Sequence, residues 1–474
     1  MDQWTRVRRC APAAVAALLA LTSCTTSANG EANGRATAAS GTPGAPGVHD
    51  PYFPELGNGG YDVTHYALTL DYDPKAHRLE ATAEITARAT QDLSAFNLDL
   101  HGMNVTSATV DGQKAVVSRA GDELTLTPRS GAGPTDGETF RTVVGYSGRP
   151  ATITDADESE EGWLRTADGA LALGEPLGSM AWFPGNHHPS DKASYDITVT
   201  VPKGLRAISN GELRSERTRG DRTAFAWHSG EPMAGYLATV AIGKFETRAT
   251  RTPSGLPVFT AVDPAVAKGS AESIAGIPDI VEWGIKTFGP YPFSSAGAIV
   301  ERDGDAGYAL ETQTKPVFPG PPSDGLLVHE LAHQWFGNSV TPKSWRDMWL
   351  NEGFATYAQW LWDEDFANIP ADRNFAEAFD NKANWAFPPA EPPSGADLFG
   401  DPVYGRGAMV LHKVREAVGD DAFFGIVRGW ASTHRHSNAS TDDFTAYVEK
   451  KSGKDLKALW DTWLYGKKKP ATSR

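Results

Sequence analysis

Apolar side chains recur at every second position through much of residues 61 to 244. Tyr66, Leu68, Leu70 and Tyr72 alternate with polar residues, Asp73-Pro74 makes a turn, and Leu79, Ala81, Ala83, Ile85 and Ala87 resume the alternation. Shorter stretches at 95–100, 123–127, 194–201, 223–228 and 236–242 read the same way. The pattern predicts an antiparallel β-rich domain over residues 56–248, closed by turn signals around Thr252-Pro-Ser-Gly. Beyond it the period becomes helical, at 271–288, from Ser323 past Trp335, from Ser344 or Asp347 to Trp360, and at 411–418, 422–432, 441–451 and 456–464. Residues 363–400 read as loop-rich, with paired prolines. The expected architecture is α+β and multidomain, with a mainly helical domain over residues 249–474.

The first 23 residues carry Arg6, Arg8 and Arg9 ahead of an apolar run, Ala11 to Leu21, that is too short for an ordinary membrane span. This is the pattern of a targeting segment. Its end, Leu21-Thr22-Ser23-Cys24, resembles a bacterial lipobox, which implies cleavage before Cys24 and lipidation of its sulfur; the alternative is an ordinary secretory signal with a nearby cysteine. Residues 24–55 are polar and rich in small residues, and read as a flexible tether. Cys10 and Cys24 are the two cysteines, so a mature chain lipidated at Cys24 has no thiol for a disulfide and depends on its packed core and on metal. The net charge of −15 becomes about −17 when the three Arg and one Asp of residues 1–23 are removed, which argues against nucleic-acid binding. The expected location is the outer face of a bacterial cell membrane, or the exterior.

The chemistry is concentrated in His329-Glu-Leu-Ala-His333 and in Asn351-Glu-Gly-Phe-Ala355. Histidines four apart on a helix present two imidazoles on one face, at a separation that a single metal ion bridges. Ser323 and Asp324 supply a helix start, and Leu327, Val328, Leu331 and Trp335 form an apolar stripe opposite His329, Glu330 and His333, with Gly337 as the expected stop. A catalytic zinc usually takes three protein ligands, and Glu352, early in the next helix, is the best third candidate. Glu330 would then be the general base. The bare motif arises by accident on the order of once in a hundred chains of this length, and accident must also supply the capped helix and the second carboxylate.

His329-Glu-Leu-Ala-His-Gln-Trp-Phe-Gly-Asn338 followed by Trp349-Leu-Asn-Glu-Gly-Phe-Ala355 resembles the aminopeptidase N family of gluzincin zinc peptidases, which also contains leukotriene hydrolase. The resemblance implies an N-terminal saddle-shaped β domain and a thermolysin-like catalytic domain with one zinc per chain. It extends to Phe288-Gly-Pro-Tyr-Pro292. Gly307-Tyr-Ala-Leu-Glu-Thr312 is similar to the family's Gly-Ala-Met-Glu-Asn edge strand, which implies that Glu311 binds the substrate's terminal ammonium and that the backbone at Ala309 pairs with substrate. Leu173-Gly-Glu175 with Phe183-Pro184 is similar to the family's Gln-x-Glu…Phe-Pro segment, implying a second ammonium carboxylate at Glu175; Leu173, Gly185 and His187 depart from that pattern. Tyr404-Gly-Arg-Gly-Ala408 is similar to the family's Tyr-x-Lys-Gly-Ala, implying that Tyr404 stabilises an oxyanion, with Arg406 in place of lysine.

The blander readings are a loop carboxylate for Glu175, a solvated acid for Glu311 and a core tyrosine for Tyr404. His187 and His188, without an acid or cysteine at ligand spacing, read as loop histidines, and His434 and His436 as solvated. The chain ends about 120 residues after Glu352, short of the large C-terminal helical domain of many family members. The expected function is removal of the N-terminal residue from peptides with a free N-terminus. The rivals are an endopeptidase or epoxide-opening relative and a non-catalytic surface binding protein.

Overall fold

The alternating segments pair into a long mixed sheet. In the computed structural model, which describes residues 41–129 and 132–471, eleven strands join edge to edge. The expected signal peptide at 1–23, Cys24 and the tether as far as residue 40 lie outside the described residues. Tyr61–Asp73 and Arg78–Ala89 form the central hairpin, with Tyr66 opposite Ile85 and Leu70 opposite Ala81, so the apolar set of each strand falls on one face. Lys192–Pro202 lies parallel to Tyr61–Asp73 and antiparallel to Arg222–Ala234. The sheet is therefore mixed rather than wholly antiparallel. The chain reaches Lys192 only after a long excursion, and without a tight hairpin nothing in the local sequence fixes the strand's direction.

A five-stranded sheet delivers one part of the site. Its central strand, Ala170–Leu173, is buried along its whole length between Glu160–Arg165 and Val240–Gly243, and runs straight into Glu175. Residues 41–55, expected to be the end of a flexible tether, are instead packed onto the fold. Thr42–Pro43 pairs with the strand Leu93–Asp99, and the buried Asp50 carboxylate accepts from Ser344 Oγ at 2.8 Å and Trp345 N at 3.0 Å and lies 3.2 Å from His188 Nε2. Small polar composition made this stretch read as a linker; the bonds that fix it reach residues about fifty to three hundred positions away.

The boundary expected at residue 248 falls inside Glu246–Arg251, the first strand of a further sheet. That strand pairs antiparallel with Pro257–Val262, and Ala296–Val300 and Val317–Phe318 follow in parallel. Helix α1 (Ala267–Phe288) makes the crossover that a parallel pair requires. Then come α2 (Asp324–Ala332), α3 (Trp349–Trp362), α4 (Ala371–Asp380), α5 (Gly407–Val418), α6 (Asp420–Thr433) and α7 (Thr441–Ser452). The stretch expected to be loop contains α4, whose Ala371, Phe375 and Phe379 recur at helical spacing and are buried. α2 ends at Ala332, earlier than the expected stop at Gly337. α3 and α5 cross where both lack a side chain: a Cβ on Gly407 would lie 2.9 Å from Gly353 Cα. That close approach brings the start of α5 against the turn of α3 that carries Glu352.

Candidate active site

Ser323 caps α2 by accepting from Leu326 N, and the helix is buried on both faces, so His329, Glu330 and His333 project into the protein rather than into water. Ser344 caps a single tight turn, Trp345–Asp347, which leads into α3 and sets Glu352 in its first turn. The result brings His329 Nε2 to 3.1 Å and His333 Nε2 to 3.4 Å from Glu352 Oε2. Metal–ligand bonds of about 2.0–2.1 Å in a tetrahedron put ligand atoms roughly 3.3 Å from one another. The three side chains are therefore spaced to share one small ion. Each imidazole is also oriented from behind: His329 Nδ1 lies 3.2 Å from Gln359 Oε1, and His333 Nδ1 3.1 Å from the Phe336 carbonyl. In the neutral rings that metal binding requires, donation from both Nδ1 atoms leaves both Nε2 lone pairs facing the site.

All eight residues singled out from the sequence, His329, Glu330, His333, Glu352, Tyr404, Glu311, Glu175 and Ala309, line one cavity of about 330 Å³. Tyr404 enters from a wide helical turn, Pro402–Arg406, just before α5, its ring nearly parallel to His329 with centroids 6.0 Å apart. Arg406, one of the departures, is wholly buried and donates to the carbonyls of Trp463, Phe387, Thr462 and Gly466, which locks this turn onto the C-terminal segment. Glu175 follows the buried strand directly, and the turn after it is held by Glu161, whose carboxylate accepts from Leu177 N and Gly178 N. Residues 307–312 are not the edge strand expected from the resemblance: Leu310 alone bridges to Val317, and the segment is fixed by side chains instead. Gln334 Nε2 and Asn338 Nδ2 both donate to the Glu311 carbonyl, at 3.2 and 2.6 Å.

The cavity is acidic. Among the described residues no lysine or arginine lines it, while Glu175, Glu311, Glu330 and Glu352 do. Glu175 Oε1, Glu311 Oε1 and Glu330 Oε2 are buried without a hydrogen-bond partner. Burial, and then repulsion from Glu311 and Glu352, push the Glu175 carboxyl well above its usual range. Burial raises Glu330 and Glu311 as well, against the pull of His333. Burial also disfavours charge on Glu352 and His333. Their mutual attraction prevails, holding Glu352 near about 2 and, with the help of Glu311, His333 near about 10. Burial, with these acids around it, raises the Tyr404 phenol, which stays a donor at neutral pH. An arrangement of this kind is costly until cations enter it.

Sequence reasoning passed over Tyr308, Leu326, Gln359 and Phe399 in the cavity wall. Gln359, seven residues and two helical turns after Glu352, was findable from spacing alone. Leu326 lies on the predicted helix beside its apolar stripe, whereas Tyr308 and Phe399 come from segments with no periodic signal. Of the bystander histidines, His187 is buried against the Phe183 carbonyl and held by burial near about 4, and His188 pairs with Asp50. Neither belongs to a metal-ligand group among the described residues.

An HExxH helix whose third ligand is a glutamate on the following helix defines a metallopeptidase of the gluzincin class. The model of the peptidase family M1 domain matches residues 323–463. Residues 323–463 thus carry a peptidase family M1 domain, which supports the aminopeptidase N family of zinc metallopeptidases. The M1 zinc metallopeptidase of Deinococcus radiodurans superposes with a TM-score of 0.84 at 28% identity, over 90% of this chain and 99% of that one. A mutant of the same peptidase, bound to a Tyr-Ser-Ala substrate, matches equally well. Among curated relatives, probable aminopeptidase 2 of Sulfurisphaera tokodaii is 25% identical over 61% of this chain and 40% of its own length. Human glutamyl aminopeptidase is 25% identical over 75% of this chain and 38% of its own. The chain thus spans about 40% of the length of the curated relatives it matches.

Proposed function

We propose that the protein is a zinc-dependent aminopeptidase. The observation that carries this reading is one cavity that joins a three-ligand metal group to two further buried carboxylates, Glu175 and Glu311, each with an oxygen that makes no hydrogen bond. The first group suits a dication; the second suits the ammonium of a peptide's free N-terminus, which in a buried cleft needs counter-charge. The names of the relatives, aminopeptidases and a zinc metallopeptidase with bound tripeptide, point the same way.

Zinc held by His329, His333 and Glu352 would supply Lewis acidity and a lowered pKa for a coordinated water. The protein's own groups do the rest. Glu330, with one carboxylate oxygen unpartnered, accepts a proton from the attacking water and returns it to the departing amine. Tyr404 donates to the oxygen on which negative charge develops. Glu175 and Glu311 hold the ammonium, so the bond presented to Glu330 is the first peptide bond. Leu326 and Phe399 add apolar wall to the same cavity.

The test is hydrolysis of aminoacyl-chromophore substrates with and without a chelator. Activity lost to the chelator is expected to return with zinc, and Glu330→Gln to bind zinc while losing at least about 10²-fold in kcat. Equal cleavage of free and N-acetylated peptides would instead favour an endopeptidase. We further propose export and lipid anchoring through Cys24, supported by the basic and apolar runs before it. Incorporation of labelled fatty acid in a bacterial host, lost in Cys24→Ala, is the expected result; no incorporation into wild type leaves a secreted protein.

A further inference from the structure

A second cluster of ligand-type atoms lies where α4 meets α5. His412 and Glu416 stand one turn apart on α5, and the first turn of α4 supplies Asp372. His412 Nε2 is 3.1 Å from Asp372 Oδ1 and 3.5 Å from Glu416 Oε1, and the three ligand atoms lie within 4.8 Å of one another. These spacings match the 3.1 and 3.4 Å of the cleft, and both bracket the roughly 3.3 Å of a tetrahedral ion.

His412 is 3% exposed, yet its Nε2 makes no hydrogen bond although two carboxylates lie beside it. A buried ring nitrogen is rarely left so. Its neighbours are disposed as supports of a ligand. The Tyr357 hydroxyl lies 3.4 Å from His412 Nδ1, and Lys413 Nζ donates to Glu416 Oε2 at 2.6 Å, leaving Oε1 for the site. Arg415, the nearby cation that could compete, is bound to Glu364 and Asp420. A cavity of about 490 Å³ lined by all three ligands gives access.

The geometry points to a second divalent-metal site at Asp372, His412 and Glu416. One imidazole with two carboxylates is a donor set for zinc or a neighbouring first-row ion rather than for calcium, which takes oxygens alone. The ion fastens the first turn of α4 to α5, the helix that follows the turn carrying Tyr404. The site is independent of the reading of the cleft.

The test is zinc content of the full chain by elemental analysis after equilibration with zinc, paired with thermal melting. Wild type and Glu330→Gln are expected to hold two ions, and His412→Gln and Asp372→Asn one. Asp372 has a side chain 86% exposed, so its replacement leaves folding intact if the histidine variant does not fold. The melting temperature of wild type rises with the second equivalent of zinc, and that of Asp372→Asn does not. An ion count in Asp372→Asn equal to that of wild type overturns the site.

Discussion

Glu175 tests the idea that the cleft is built around a free amine. The substitution Glu175→Gln keeps shape and removes charge. In the folded chain this carboxyl is buried, has an oxygen without a partner, and faces Glu311 and Glu352. A hydrogen bond to a charged group contributes about 1.5–3 kcal/mol, which at 1.36 kcal/mol per decade is roughly 10- to 150-fold in binding. Two inhibitors that differ only in the amine, phenylalaninamide and 3-phenylpropanamide, isolate the effect. For wild type the amine-bearing compound should bind more tightly. In Glu175→Gln its inhibition constant should rise by that factor, while that of the desamino compound stays within about 2-fold. The metal-free variant should melt no lower than wild type, because the lost group has like-charged neighbours. An equal change for both inhibitors, or a melting temperature lower by several degrees, would show that Glu175 supports the loop rather than the ligand.

Three further outcomes follow from the geometry. Tyr404→Phe should lower kcat about 10²- to 10³-fold with KM nearly unchanged, since its hydroxyl is proposed to act on charge that develops in the transition state; a rise in KM at constant kcat would refute that role. Gly407→Ala gains helix propensity of about 1 kcal/mol but places a Cβ 2.9 Å from Gly353 Cα, so urea denaturation should report a net loss of about 1–3 kcal/mol together with reduced activity. Burial holds the Lys315 ammonium down at about 7, against an ordinary value near 10.4 in the unfolded chain. Between these values the unfolded state binds the extra proton, so stability rises with pH across that window by up to about 1.4 kcal/mol per unit, and Lys315→Met should flatten the slope measured by denaturation between pH 7 and 10.

The sequence by itself determined most of the chemistry. Local pattern gave the long strands and the cap at Ser323, and the four-residue spacing of His329 and His333 dictated that their imidazoles share a face, because a helix repeats every 3.6 residues whatever surrounds it. Resemblance supplied Glu175, Glu311 and Tyr404, and these line the same cavity as the metal group. What only the tertiary structure decided is how those parts meet. The parallel return of Lys192–Pro202, the packing of residues 41–55 and the grip of Gln334 and Asn338 on the Glu311 carbonyl depend on partners far apart in the chain. So does the glycine crossing of α3 and α5, which no periodicity announces. Hydrogen bonds and van der Waals contacts act over a few ångströms in space, whereas pattern in a sequence reports only neighbours along the chain. The ligands were therefore legible one by one, and the acidic cavity that makes them a site was not.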